Sequence, residues 1–160
     1  MDYSYSPSSN RNLNNLIIAT LPNIINYISH SNSLNKLITN SSFDSIAYKI
    51  ISFEDYLQRL IKLFDVESNT VIYSFVLIDF ISQRGLFISM KNIHKLFMIS
   101  LYVSAKIMED IIFSEKVFSE ICGLPQEEIA LLESEFLRML NYDLIIPINI
   151  FNTYMKIFDI

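Results

Sequence analysis

The chain has 160 residues, a net charge of −5 and 51% hydrophobic residues, with only 2 Gly, 4 Pro, 1 Cys and no Trp. That length fits one domain, and the scarcity of Gly and Pro favours long helices over a sheet built on hairpins. An acidic chain without a Lys/Arg cluster offers no phosphate-neutralising surface for nucleic acid, and a single Cys excludes an internal disulfide, as suits a reducing, intracellular setting, cytoplasmic or nuclear.

Residues 1–12 are polar, rich in Ser and Asn, and expected to be disordered. They also lack the basic start of a secretory leader. Leu13, Leu16, Ile17, Leu21, Ile24, Ile25 and Ile28 then recur at helical spacing, so an amphipathic helix follows. Pro22 either kinks that helix or opens its second half. Residues 12–35 carry no Asp, Glu, Lys or Arg, but Asn14, Asn15, Asn23, Asn26, His30 and Asn32 make the stretch too polar for a bilayer. Residues 29–42 read as a loop.

Ser52 is placed to cap the first helix of a core, with Glu54 and Asp55 in its first turn. Its apolar stripe is Phe53, Tyr56, Leu57, Leu60, Ile61 and Phe64. A second helix, from Ser68 or Asn69 to about Gln83, is apolar nearly all round and ends at Gly85. Such a helix belongs at the centre of a bundle. Ser89 is expected to cap a third helix that runs to about Asp110. Ser114 is expected to cap a short fourth that stops at Gly123. Pro125 opens a fifth, which runs to about Leu140. Pro147 ends an extended link, and residues 149–160 read as one more short helix.

Two glycines cannot build a phosphate loop, and His30, His94 and Cys122 are too few and too scattered for a metal set, so no cofactor, metal or small-molecule substrate is expected. Cys122 with His94 is the one nucleophile–base pairing the composition permits. The alternative reading is a small apolar residue at a helix end and a hydrogen-bonded helix histidine. Glu127 and Glu128 fall in a first turn, where the helix dipole favours anions. Glu133 is flanked by Leu132, Phe136 and Leu137, and Lys106 by Val103 and Ile107. Charges on apolar faces fit a partner surface. They also fit a core-edge glutamate and a lysine set favourably at a helix C-terminus.

Three ordered motifs carry a resemblance. Residues 92–99 (N-I-H-K-L-F-M-I) followed by 104–110 (S-A-K-I-M-E-D) resemble the third cyclin-box helix of P/U-type cyclins, where the pattern reads N-V-H-R-L-L-I-T and then A-A-K-F-M-D-D. Residues 131–137 (L-L-E-S-E-F-L) are similar to that group's fifth-helix L-L-E-V-E-F-L. Residues 52–60 (S-F-E-D-Y-L-Q-R-L) are similar to its opening S-I-x-D-Y-L-x-R-I. Two departures stand out. Residues 118–124 place Glu120 and Cys122 where the family has a lysine and a glycine, and the tryptophan-containing first-helix motif of cell-cycle cyclins is absent.

The resemblance implies an all-α fold: a single five-helix cyclin box over 43–146, preceded by an N-terminal helix and loop over 13–42 and followed by a C-terminal extension over 147–160. It also implies a regulatory subunit, not an enzyme, that binds and activates a cyclin-dependent kinase by packing the third and fifth box helices on the kinase C-helix. Lys106 and Glu133 match the charged kinase-binding positions, and Val103, Ile107, Leu137, Tyr142 and Leu144 the apolar ones around them. The alternative is a cyclin-box adaptor for a non-kinase partner. Neither nucleic acid nor a membrane is an expected partner.

Overall fold

The computed structural model describes residues 15–23, 26 and 41–158. Residues 15–23 form helix α1, which holds Pro22 within it and buries Ile17 and Leu21 completely. Leu13, Ile24, Ile25, Ile28, the 1–12 segment and the loop up to residue 40 lie outside the described residues.

Local signals place most of the remaining elements. Ser52 Oγ accepts the Asp55 N–H at 3.1 Å and starts α2, Phe53–Phe64, after a short 3-10 turn at Ala47–Lys49. The next helix, α3, spans Ser68–Gln83, and Gly85 follows it with φ +107°, a conformation that costs glycine little. Ser114 Oγ accepts the Val117 N–H at 3.3 Å and caps α5, Glu115–Cys122, which Gly123 closes in the left-handed conformation. Pro125 occupies the N-cap of α6, Gln126–Met139, one residue before the first-turn position expected for it. Pro147 does the same for α7, Ile148–Ile157. No strand occurs among the described residues.

The third core helix, α4, departs from expectation at both ends: it spans Ile93–Met108, not Ser89 to Asp110. At its start the Asn92 side chain competes with the helix. It accepts the Ser89 N–H at 2.9 Å and donates to the Phe87 carbonyl at 2.8 Å, closing a turn before the first helical residue. At its end Glu109 turns extended, with ψ 141°. Its carboxylate reaches the start of α3, accepting the Glu67 N–H at 2.9 Å and the buried Thr70 hydroxyl. A carboxylate there also meets the positive end of the α3 dipole.

The centre of the bundle is α3. Val71, Ile72, Phe75, Val76, Leu77, Ile78 and Ile81 have no solvent exposure. Burying each such side chain stabilises the fold by about 1.5–3 kcal/mol relative to leaving it in water. Small residues let α4 lie close against α3: Ser100 Oγ donates to the Ser74 carbonyl at 2.6 Å, and Phe75 stacks on Phe97 at 5.1 Å. Helices α2 and α6 pack on α4, α5 on α6, and α7 on α3. The last contact is fixed by Tyr154, which donates to Asp79, and by Tyr73, which donates to the Leu144 carbonyl of the link between α6 and α7.

Candidate partner-binding surface

The last two turns of α4 and the middle of α6 share one edge of the bundle. Lys106 projects from α4 because α4 turns its Leu101 and Ala105 side towards other core elements, and Glu133 projects from α6 because Leu132 and Phe136 point inward. Their side chains meet: Lys106 Nζ lies 2.6 Å from Glu133 Oε1, at 35% and 22% exposure. Lys106 also sits over the Tyr102 ring, 4.2 Å from its centroid, and Tyr102 stacks on Phe118 at 4.1 Å. Burial pulls the Lys106 pKa down. The hydrogen bond and charge of Glu133, with Tyr102, outweigh it and leave the ammonium above its ordinary value.

Around this pair the apolar residues divide. Ile107 is 43% exposed and Tyr142 67% exposed, so both present surface to solvent. Leu137 and Leu144 are half-buried against the core. Val103 is 3% exposed and belongs to the core in the free chain, where it offers a partner little area. Tyr142 and Asn141 are consecutive left-handed residues, at φ 58° and 54°. Their N–H groups donate to the Leu137 and Arg138 carbonyls, both at 2.9 Å, closing the end of α6. That turn carries the Tyr142 ring outward.

Sequence reasoning did not single out Tyr102, the platform under Lys106. Its spacing of four residues before a lysine on one helix was the available signal. A second α4–α6 ion pair, Lys95 to Glu128 at 2.8 Å, was also missed, and Glu128 thereby does more than complement a dipole.

His94 packs against Tyr56. The His94 ring lies 5.0 Å from that of Tyr56 and 5.5 Å from Phe53, and its Nε2 is 3.1 Å from the Ile51 carbonyl oxygen, so Nε2 carries the proton. The buried Nδ1 finds no partner of hydrogen-bonding geometry. Burial lowers the His94 pKa, partly offset by backbone groups of Ile51 and Met90. Burial also raises the Tyr56 hydroxyl and pushes the Cys122 thiol up to about 12, against an opposing effect of Arg59. An activated thiol nucleophile is one whose pKa is lowered, and burial acts on Cys122 in the opposite direction. Among the described residues, no group of three or more His, Cys, Asp and Glu is placed to hold a metal ion, and no helix is long and apolar enough to cross a membrane.

The family model for cyclins matches residues 7–144. The chain belongs to the cyclin family. Its similarities are to the P/U type. It is 31% identical over 116 residues to cyclin-U4-2 of Arabidopsis thaliana, covering 71% of this chain and 54% of that protein. It is 26% identical over 147 residues to cyclin-U4-1 of the same plant, covering 88% of this chain and 73% of the relative. With cyclin-P4-1 of Oryza sativa subsp. japonica the figure is 24% over 119 residues, 73% of this chain and 56% of that one. The chain thus spans about half the length of the first of these relatives and about three quarters of the second. Helices α2 to α6 correspond to the five helices of a cyclin box, with α3 buried among the other four.

Proposed function

We propose that this cyclin is a regulatory subunit that binds and activates a cyclin-dependent kinase through the α4–α6 edge. The observation that carries the reading is the Lys106–Glu133 pair, which joins two helices at the border of exposed Ile107 and Tyr142. An ammonium and a carboxylate at one point can bond a carbonyl and an N–H of the same partner segment, while the apolar residues beside them exclude water. Val103, Leu137 and Leu144 support that surface from beneath and from its rim. Kinase catalysis needs a lysine–glutamate pair that forms only when the C-helix is swung in. A protein that binds the swung-in conformer better shifts the equilibrium towards it. Our reading places the box at residues 43–146, with an N-terminal helix and loop over 13–42 and a C-terminal extension over 147–160.

Reconstitution tests this. The purified chain is mixed with a panel of purified cyclin-dependent kinases, and complex formation and peptide phosphorylation are measured together. A stable complex with at least one kinase, and higher turnover in it, is expected. Binding without activation would favour an adaptor, and no complex with any member would remove the kinase reading.

A further inference from the structure

An ammonium and a carboxylate side by side can recognise their own arrangement in another molecule. Lys106 and Glu133 bond at 2.6 Å across α4 and α6, and both keep an open face to solvent. An ammonium has three donors and a carboxylate about four lone-pair sites, so one mutual bond leaves capacity in each group. The pair is also held in place. Tyr102 lies under the ammonium, 4.2 Å away at its ring centroid, and is itself fixed by its stack on Phe118. Charges ordered before anything associates with them lower the entropy lost on binding.

A two-fold rotation sets Lys106 of one copy against Glu133 of a second copy, and Glu133 of the first against Lys106 of the second. The four groups then form a ring of alternating sign. Each copy gives and receives the same two contacts, so the assembly closes at two. Apolar surface borders the ring. Ile107 and Tyr142 are open to water, and Ile145, three residues further along the same link, is 80% exposed. Large apolar side chains exposed beside ordered charges mark an association surface. Other occupants fit the charges less well. The pair presents one charge of each sign, so it draws neither a polyanion nor an anionic membrane.

We infer that the α4–α6 edge seats a second copy of this chain, in a two-fold pair closed by Lys106 and Glu133 of each copy. The exposed apolar residues are few, so the pair is weak and forms at high local concentration. At physiological salt, where exposed charges more than about 8 Å apart are largely screened, the net −5 of each copy does little to oppose it. On the kinase reading proposed above, the pair and the kinase complex use one edge, so self-pairing withholds the chain from a kinase until the pair opens.

Sedimentation of the purified full chain, from low to high micromolar concentration, tests this. A monomer–dimer equilibrium is expected. Lys106→Glu or Glu133→Lys alone sets like charges against each other and should weaken the dimer at least about a hundredfold. Mixing the two reversed variants should restore a one-to-one dimer, because one then carries two carboxylates at the edge and the other two ammonium groups. That restoration also shows that both variants fold. Glu128→Lys makes the same charge change at the Lys95–Glu128 pair, which meets α4 about 16 Å further back, and should leave the dimer within about twofold. A chain that stays monomeric throughout, a dimer indifferent to both reversals, or reversed variants that stay apart on mixing would overturn the inference. The kinase reading is judged separately. A kinase that binds the chain should dissolve the pair, whereas a kinase that binds the intact dimer would move the kinase surface elsewhere and leave the pairing standing.

Discussion

Truncating Lys106 or Glu133 to alanine should separate two properties of the chain. In the free protein the pair is partly solvated, at 35% and 22% exposure. Discounted for that exposure, it is worth about 0.5–1 kcal/mol to folding. At 2–4 °C per kcal/mol for a domain of this size, either variant should melt roughly 1–4 °C lower. In the kinase complex proposed above the same groups would be desolvated, and removing one partner of a buried charged bond costs about 2–5 kcal/mol. At 1.4 kcal/mol per decade, affinity should fall roughly thirtyfold to a few thousandfold. Because the two side chains bond each other, the double variant should lose less than the sum of the single losses. Calorimetric titration of the kinase and thermal melts in the same preparations measure both. The pH dependence follows from the sign of the lysine shift. Its folded value lies above the ordinary 10.5, so its contribution is fully present below 10.5 and disappears as pH rises through the raised value. Unchanged affinity in both variants would remove these residues from the binding surface, and a melting loss without an affinity loss would leave them a purely structural pair.

The other expectations concern the frame that holds this edge. His94 is buried with a lowered pKa, so the unfolded chain takes up its proton first, and stability should decline as pH falls through about 6.5; His94→Gln should flatten that part of a urea-melt series against pH. Glu109→Ala strands the Glu67 N–H and the Thr70 hydroxyl, which should cost about 2 kcal/mol and lower Tm by roughly 4–8 °C; an unchanged melt would show that water replaces the carboxylate at no cost. The Cys122 thiol, held near 12, should react with iodoacetamide at pH 8 on the order of a hundredfold more slowly in the folded chain than in urea; equal rates would reopen the case for a reactive cysteine.

Helices announced themselves where a single local device decides the boundary. Ser52, Ser114, Gly85 and Gly123 each act through the backbone of their own turn, and each was legible as such. The ends of α4 were not, because its start depends on the Asn92 side chain choosing Ser89 and Phe87, and its end on Glu109 reaching α3, 42 and 39 residues back in sequence. A pattern of apolar periodicity carries no record of such choices. The same holds for the surface. The placement of Lys106 and Glu133 on apolar faces was visible, and the motifs named them together, but the Tyr102 platform and the burial of Val103 come from how α4 rolls against its neighbours.

The left-handed turn at Asn141 and Tyr142 has a consequence for association. A non-glycine residue in that conformation raises the energy of the free chain by about 1–2 kcal/mol. In return the Tyr142 ring is carried on a backbone pinned by bonds to the Leu137 and Arg138 carbonyls, not on a freely sampling loop. Ordering a loop and a side chain at an interface is an entropic cost that subtracts from affinity. Here most of that ordering is complete before any partner arrives, so a modest apolar contact at Tyr142 can yield more binding than its area suggests, at the expense of a slightly less stable chain.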